Sequence, residues 1–459
     1  RAPPLAAPGL QPPVRRGMGN AMGGDGELCS VDDWEAKCNS VKLKVRSEIS
    51  LEDWHKFGFA ESRAAEFEAL AAAGDRPPNA VARPKAEELS LEDFWERFER
   101  KALPCVISNI PAAAHWPLWG KWSMQQFTSR YARSYFRVGK DDSGHPVRLR
   151  VDHFARYLSD HQDDSPLYLF DSKFASEGEL LKDYAVPPYF PDDYMALTGQ
   201  KDRPPYRWIG IGPRRSGTVV HQDPLCTSAW NTLVVGRKRW LLLPPDTPKQ
   251  AAKGKHLMQK GEDDEAINYF LDLLPRLRGA GVEPIEFVQY PGETVFLPGG
   301  WWHCVVNLDD TIAVTQNYAG RHNFPSVWRT ARSERPCWSR RWLRAMDAEM
   351  PELAAVARGL NREDGFDMEV LLEKNRQRLR RRRQRKERRE LREARSKACG
   401  HFDEEAWLRK WRDEEASSGT ESTVSSSSST VSASSSSASG SSMSQDSSRD
   451  GSRGPAAAK

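Results

Sequence analysis

GTVVHQDP, residues 217–224, and GGWWHCVVN, residues 299–307, carry the side chains on which the reading of this sequence turns. Both are β-branched and aromatic runs bounded by Gly, Pro or Asp, the composition of short strands. Side chains two apart on an extended strand leave from one face, so His221 and Asp223 can reach one ion while Gln222 points away. His303, on a second strand, completes a set of two neutral imidazoles and one carboxylate. On one face of an octahedral ion, such a set is the arrangement that holds non-haem iron(II) and leaves positions open to other ligands. An isolated His-x-Asp is weak evidence, and His401 and Asp403 repeat it beside a basic run. There a helix would turn the two side chains apart by about 200°, so that copy should bind nothing. The bland alternative for His221 is a hydrogen-bonded core histidine. It loses weight because His303 closes the same series of strands.

Eight runs make up that series between Tyr206 and Tyr318: YRWIGIG, GTVVHQD, WNTLVV, RKRWLLLP, EFVQY, ETVFLP, WWHCVVN and TIAVTQNY. Short strands separated by turns, with no helix between most of them, predict a two-sheet jelly roll of the cupin-like, double-stranded β-helix kind. In GRKRWLLL, Arg237 and Arg239 share one face and Lys238 the other. If the arginines face solvent, the lysine points into the barrel, where it could meet an anionic co-substrate. A charged, solvated edge strand is the alternative. Thr315 and Asn317 alternate with apolar residues and should share a face, and Asn231 is another polar residue among apolar neighbours. Each could equally be a satisfied core polar group. Trp301 and Trp302 read as core aromatics.

Outward from the strands the texture changes. The expected fold class is mainly β with α flanks. The division is a disordered segment 1–40, a helical region 41–103, a double-stranded β-helix 104–325 with a polar, partly helical insertion at 248–284, a helical region 326–372, a basic helical arm 373–412 and a disordered serine-rich tail 413–459. Ser90 and Asp93 form a capping pair before the helical run around Phe94, and SRRWLRAMDAEMPELAAVARGL (residues 339–360) reads as helical with Trp342, Leu343, Met346, Leu353 and Val356 as its apolar positions. Residues 374–397 hold fourteen Lys/Arg against three Glu, too few apolar residues for a docking stripe, and a density that attracts polyanions such as RNA. The net charge of +4 hides this segregation of 68 basic and 64 acidic residues. Seven scattered cysteines without a C-x-x-C pair suit a reducing, intracellular setting, and no window is apolar enough to predict a membrane span. The chain starts at Arg1, so its beginning is read as missing or processed.

The long motifs GPRRSGTVVHQDPLCTSAWNTLVVGRKRWLLLPP, PGETVFLPGGWWHCVVNLDDTIAVTQNY and DDSPLYLFDSKF resemble the Jumonji-type (JmjC) oxygenases, and among them the group of arginine demethylases and lysyl-hydroxylases once described as phosphatidylserine receptors. The resemblance covers roughly residues 45–358. It implies iron(II) held by His221, Asp223 and His303, and 2-oxoglutarate contacted by Thr218, Asn231, Lys238 and Thr315, with dioxygen as the other substrate. The implied reaction is lysyl hydroxylation of nuclear or RNA-associated proteins at Lys/Arg-containing segments. Methyl-arginine or methyl-lysine (histone) demethylation is the first alternative, and a silent RNA- or protein-binding scaffold is the alternative of another class. A serine-rich tail and residence in the nucleus, as a chromatin regulator, belong to the same resemblance. The C-terminal helices are a candidate homo-oligomer interface. Gln222 between the first two ligands and Cys304 after the third depart from the family pattern.

Overall fold

A computed structural model of the chain describes residues 33–174, 179–397 and 404–417. It contains twelve strands: β1 (Cys105–Ile107), β2 (Tyr135–Lys140), β3 (Pro146–Arg150), β4 (Leu169–Asp171), β5 (Arg207–Gly212), β6 (Gly217–His221), β7 (Ser228–Val235), β8 (Lys238–Leu243), β9 (Ile285–Gln289), β10 (Thr294–Leu297), β11 (Trp302–Asn307) and β12 (Thr311–Tyr318). The eight runs read from the sequence are β5 to β12. They close into two facing antiparallel sheets, β10-β7-β12-β5 extended by β1 and β4 at its edges, and β6-β11-β8-β9. Most connections cross from one sheet to the other, and only the one between β8 and β9 stays in one. This winding is the double-stranded β-helix expected of the pattern.

The barrel interior packs Trp240, Leu242, Phe287, Val295, Leu297 and Val305. Both outer faces are covered as well, which is why every residue of β8, β10 and β11 is buried and the strands read as nearly continuous apolar runs. The insertion covers one of these faces. Read as polar, it instead buries Ala266, Ile267, Phe270, Leu273 and Leu277 against Leu241 and Val306. Its acidic stretch is satisfied at the rim, where Arg276 pairs with Glu262 and Arg46 with Asp263.

Two expectations about the flanks change. Residues 33–40, placed in the disordered segment, belong to helix α1 (Asp33–Val45), with Cys38 and Val41 buried. Its anchor is polar, Lys42 donating to Asp163 at 2.6 Å, and a polar anchor leaves little apolar periodicity to read. The run after Pro325 is three helices, with breaks at Pro336 and Pro351: α3 (Phe324–Glu334), α4 (Pro336–Glu349) and α5 (Pro351–Glu363). Val356 is 48% exposed, unlike Trp342 and Met346, which are fully buried. The Ser90 cap forms as read, accepting from the Asp93 N–H at 3.0 Å.

The basic run lies in helix α6 (Met368–Lys397), followed by α7 (Glu404–Ser417), which extends past residue 413, where the sequence predicts the disordered tail to begin. Two compact units divide between Arg378 and Leu379. Within the second, Trp407 and Trp411 lie 6.0 Å apart and Arg383 stands over the Trp411 ring. His401 and Asp403, and the serine-rich run, lie outside the described residues. No helix among the described residues is long and apolar enough to cross a membrane.

Arg239 does not face solvent, contrary to the expectation from which the inward orientation of Lys238 followed: it is 3% exposed. It donates to Glu286 at 3.0 Å and to the carbonyls of Ala73 and Gly74, which follow helix α2 (Ala64–Ala72). Arg278 pairs with the same carboxylate. Glu286 therefore fastens the N-terminal segment to the barrel. Removing one partner of a buried pair strands the others without a counter-charge, at about 3–5 kcal/mol. Glu286→Ala is expected to lower the urea unfolding free energy by about that amount. Glu373→Ala, on the exposed pair with Arg376, should leave the unfolding curve nearly unmoved.

Candidate functional site

His221 ends β6, Asp223 follows it, and His303 lies directly opposite His221 on β11. The register of two strands thus sets the imidazoles side by side, their ring centres 4.1 Å apart. Asp223 Oδ1 stands 3.8 Å from His221 Nε2 and 3.9 Å from His303 Nε2. All three donor atoms lie within 4.8 Å of one another. Each Nδ1 faces its own strand's backbone, His221 the carbonyl of Val219 at 2.7 Å and His303 that of Trp301 at 3.2 Å. Those bonds place the proton on Nδ1 and turn both Nε2 lone pairs to the common centre.

The electrostatics favour a cation at that centre. Burial, reinforced by the neighbouring His221, holds His303 well below the imidazole range and so neutral. Burial pushes the Asp223 carboxyl up, against the pull of His221 and of the Asn317 amide. Among the described residues, only the two imidazoles come within ion-pair distance of Asp223. A divalent cation would supply the charge that this carboxylate lacks, and two nitrogens with one oxygen are a donor set that iron(II) accepts.

The two departures at the ligands find their causes here. Gln222 turns away from the centre and donates to the Gly300 carbonyl at 2.5 Å, tying the end of β6 to the turn that leads into His303. Cys304 occupies a bulge where the β6–β11 register shifts between His303 and Val305. Its thiol reaches the Thr218 carbonyl at 3.3 Å and packs outside the barrel.

His221, Asp223 and His303 open on a cavity of about 110 Å³ whose walls include Thr218, Asn231, Lys238 and Thr315. All four residues singled out for the co-substrate are therefore brought together with the triad. Lys238 is 2% exposed. Its ammonium donates to the Tyr168 hydroxyl at 3.0 Å, and no carboxylate among the described residues pairs with it. A buried cation without a counter-ion calls for an anion from outside, which fits a dicarboxylate whose other end reaches the metal. Thr315 donates to the Trp230 carbonyl at 2.8 Å. The side-chain oxygens of Asn231 and Asn307 are buried without a partner, polar capacity that a ligand could meet.

Tyr168 and Asn307 were not read from the sequence. For Tyr168 a signal existed in the two glycines of YRWIGIG. A Cβ on Gly210 would fall 2.6 Å from the Tyr168 hydroxyl, and one on Gly212 2.5 Å from its ring. Glycines inside a strand mark a close approach, and here the approaching group is that ring.

Lys238→Met keeps the stem and removes the charge. It is expected to raise the 2-oxoglutarate concentration needed for half-maximal succinate formation by about 30–100-fold, the size of a buried charge-assisted hydrogen bond. Tyr168→Phe should raise it by about tenfold. An unchanged requirement in Lys238→Met would place the distal carboxylate elsewhere.

A family model described as "JmjC domain, hydroxylase" matches residues 208–318, the span of β5 to β12. The chain is 36% identical over 341 residues to the bifunctional arginine demethylase and lysyl-hydroxylase psr-1 of Caenorhabditis elegans, covering 72% of this chain and 82% of that protein. It is 38% identical over 244 residues to the arginine-specific demethylase JMJ22 of Arabidopsis thaliana, covering 52% of this chain and 46% of the relative. With the human 2-oxoglutarate and iron-dependent oxygenase JMJD4 the identity is 33% over 169 residues, 37% of this chain and 40% of the relative. The fold, the ligand geometry and these likenesses lead to one conclusion: the chain belongs to the JmjC family of enzymes, oxygenases that use iron(II), 2-oxoglutarate and dioxygen.

Proposed function

We propose that this oxygenase hydroxylates lysyl side chains of proteins, with His221, Asp223 and His303 holding the iron and Lys238, Tyr168, Thr218, Asn231 and Thr315 seating 2-oxoglutarate. The observation that carries the reading is the pairing of an uncompensated carboxylate at one end of a single cavity with an uncompensated ammonium at the other. When bound, the metal and co-substrate supply oxidation of a C–H bond coupled to decarboxylation to succinate. The protein's share is position and dryness. Trp208 and Trp240 wall the cavity with apolar surface, and the Nδ1–carbonyl bonds keep both histidines from turning.

The choice of lysine takes one of the two activities named for the relative of Caenorhabditis elegans, a bifunctional arginine demethylase and lysyl-hydroxylase that covers more of this chain than JMJ22 does. Demethylation stays as the second reading because JMJ22 is named for it and the chemistry differs little. Oxygen inserted at a side-chain carbon of lysine gives a stable alcohol. Inserted in an N-methyl group it gives a carbinolamine that loses formaldehyde. A silent scaffold is disfavoured because all three ligand positions are filled by ligand-type residues.

We extend the reading to the basic arm as the element that carries the enzyme to nuclear, polyanionic partners such as RNA, in the manner of a chromatin regulator. Three ion pairs, Arg383–Glu387, Lys386–Glu390 and Arg389–Glu393, support the helix from within, and fourteen Lys/Arg against three Glu over residues 374–397 give it a large cationic excess for phosphates. Self-association through the C-terminal helices is part of the same proposal, supported by Val356 and Val370, each 48% exposed.

His221→Ala, Asp223→Ala and His303→Ala are each expected to abolish succinate formation while circular dichroism stays unchanged. Mass spectrometry of lysine peptides incubated with the wild type should show the gain of one oxygen atom. Loss of a methylene equivalent from methylated peptides, with no oxygen gained on lysine, would favour the second reading. Deleting residues 374–459 should leave turnover of a short peptide as it was and remove nuclear accumulation and salt-sensitive RNA binding. A truncated protein that stays nuclear would assign that property to another surface.

A further inference from the structure

A second cavity, of about 150 Å³, lies beside the one that holds the metal ligands and shares two of its walls, Trp208 and Asn317. Whatever sends one side chain to the metal has a neighbouring side chain in reach of this second space. Its walls are unusually fixed. Pro204, Pro205 and Pro224 line it, and proline holds its own backbone angle. The Tyr206 ring forms another wall and is held from outside by the Arg203 guanidinium, 3.2 Å from its centre. Arg203 is itself held by Asp193.

The polar groups toward the metal are already spent on each other. Asn317 donates to the Thr227 hydroxyl at 2.9 Å, and Thr227 donates to the Pro224 carbonyl at 3.0 Å. At the outer side stands Arg335, which is exposed, lines the cavity and makes no ion pair or side-chain hydrogen bond among the described residues. It stands between two helices, capping the end of α3 and the start of α4, which fixes its backbone at the rim. Apolar walls with one unpartnered cation at the mouth suit a side chain with an aliphatic stem and an anionic end. A lysine or arginine there would be repelled. A purely aliphatic side chain would leave the guanidinium without a partner as water is displaced.

We propose that this cavity reads a glutamate of the substrate protein lying within about two positions of the modified lysine, since side chains two apart on an extended strand leave from one face about 7 Å apart. Its methylenes lie on Tyr206 and Trp208, and its carboxylate meets Arg335. The assignment rests on the protein-substrate reading above and adds the sequence feature that the enzyme selects.

The test uses short synthetic peptides with one central lysine and, position by position on either side, Glu, Gln, Leu or Lys. Oxygen gain is followed by mass spectrometry with the full-length enzyme, iron(II), 2-oxoglutarate and dioxygen. At one position the wild type should favour Glu over Gln by about three- to fivefold in kcat/KM, chiefly through KM, the size of an ion pair with an exposed guanidinium. Arg335→Gln should erase that ratio and Arg335→Glu should turn the preference to Lys. Arg335 is exposed, so succinate formation without peptide should be equal in all three proteins and reports an intact fold and co-substrate site. Glu and Gln peptides turned over alike by the wild type, or a Glu preference that survives in Arg335→Gln, overturns the assignment and leaves the hydroxylase reading standing. If no lysine peptide gains oxygen while peptide-independent turnover persists, both are overturned.

Discussion

Asp223, half-buried, and Lys238, buried, are opposite charges lining one cavity, and neither has a fixed counter-ion among the described residues. Folding them into a barrel costs free energy that the protein alone does not recover. The two charges also do not neutralise each other, because they sit at different places in the barrel wall: Asp223 beyond the end of β6 and Lys238 at the start of β8. That separation is a constraint on everything around it. The barrel must be stiff enough to hold two unsatisfied charges apart, and dry enough for each to select its ligand strongly.

Stiffness comes from covering the barrel on both outer faces. The insertion buries its aromatic and aliphatic side chains on one sheet, and Phe94 of the N-terminal region and Trp116, beyond β1, pack against Phe296 and Trp230 on the other. Glu286 then locks the segment after α2 to β8 through Arg239. The helices are therefore part of the site at one remove. They fix the strands whose register places His303 opposite His221.

What could be read from the sequence follows the range of the signal. His221, Asp223, His303 and the eight strands were legible because strand period and turn residues are local, and because packing alone seldom puts ligand-type residues inside apolar runs. Lys238 does point inward, but not because both neighbouring arginines face solvent: Arg239 is buried too, by a segment more than 160 residues away in the chain. The same long range hid the apolar face of the insertion, the polar anchor of α1, and Asn307. Tyr168 was hidden differently, since its signal lay in the missing Cβ atoms of Gly210 and Gly212 rather than in its own surroundings.

This division bears on where substrate choice resides. The bond to be broken is chosen by what reaches the metal, because the oxidising chemistry belongs to the cofactors and would act on a lysine carbon or an N-methyl carbon alike. None of the residues that hold the charges in the cavity can discriminate between those targets. Discrimination has to come from groups that touch the substrate without touching the iron or 2-oxoglutarate, and the walls that meet this condition are contributed by Tyr206, Pro224, Leu225 and Arg335. All four lie outside the strands, in turns or before a helix, and Leu225 adopts φ +59. Such positions are free to vary while strand register, burial and the two unsatisfied charges keep the rest of the cavity fixed. A barrel built this way can keep one oxidation and change its protein partner by altering its rim.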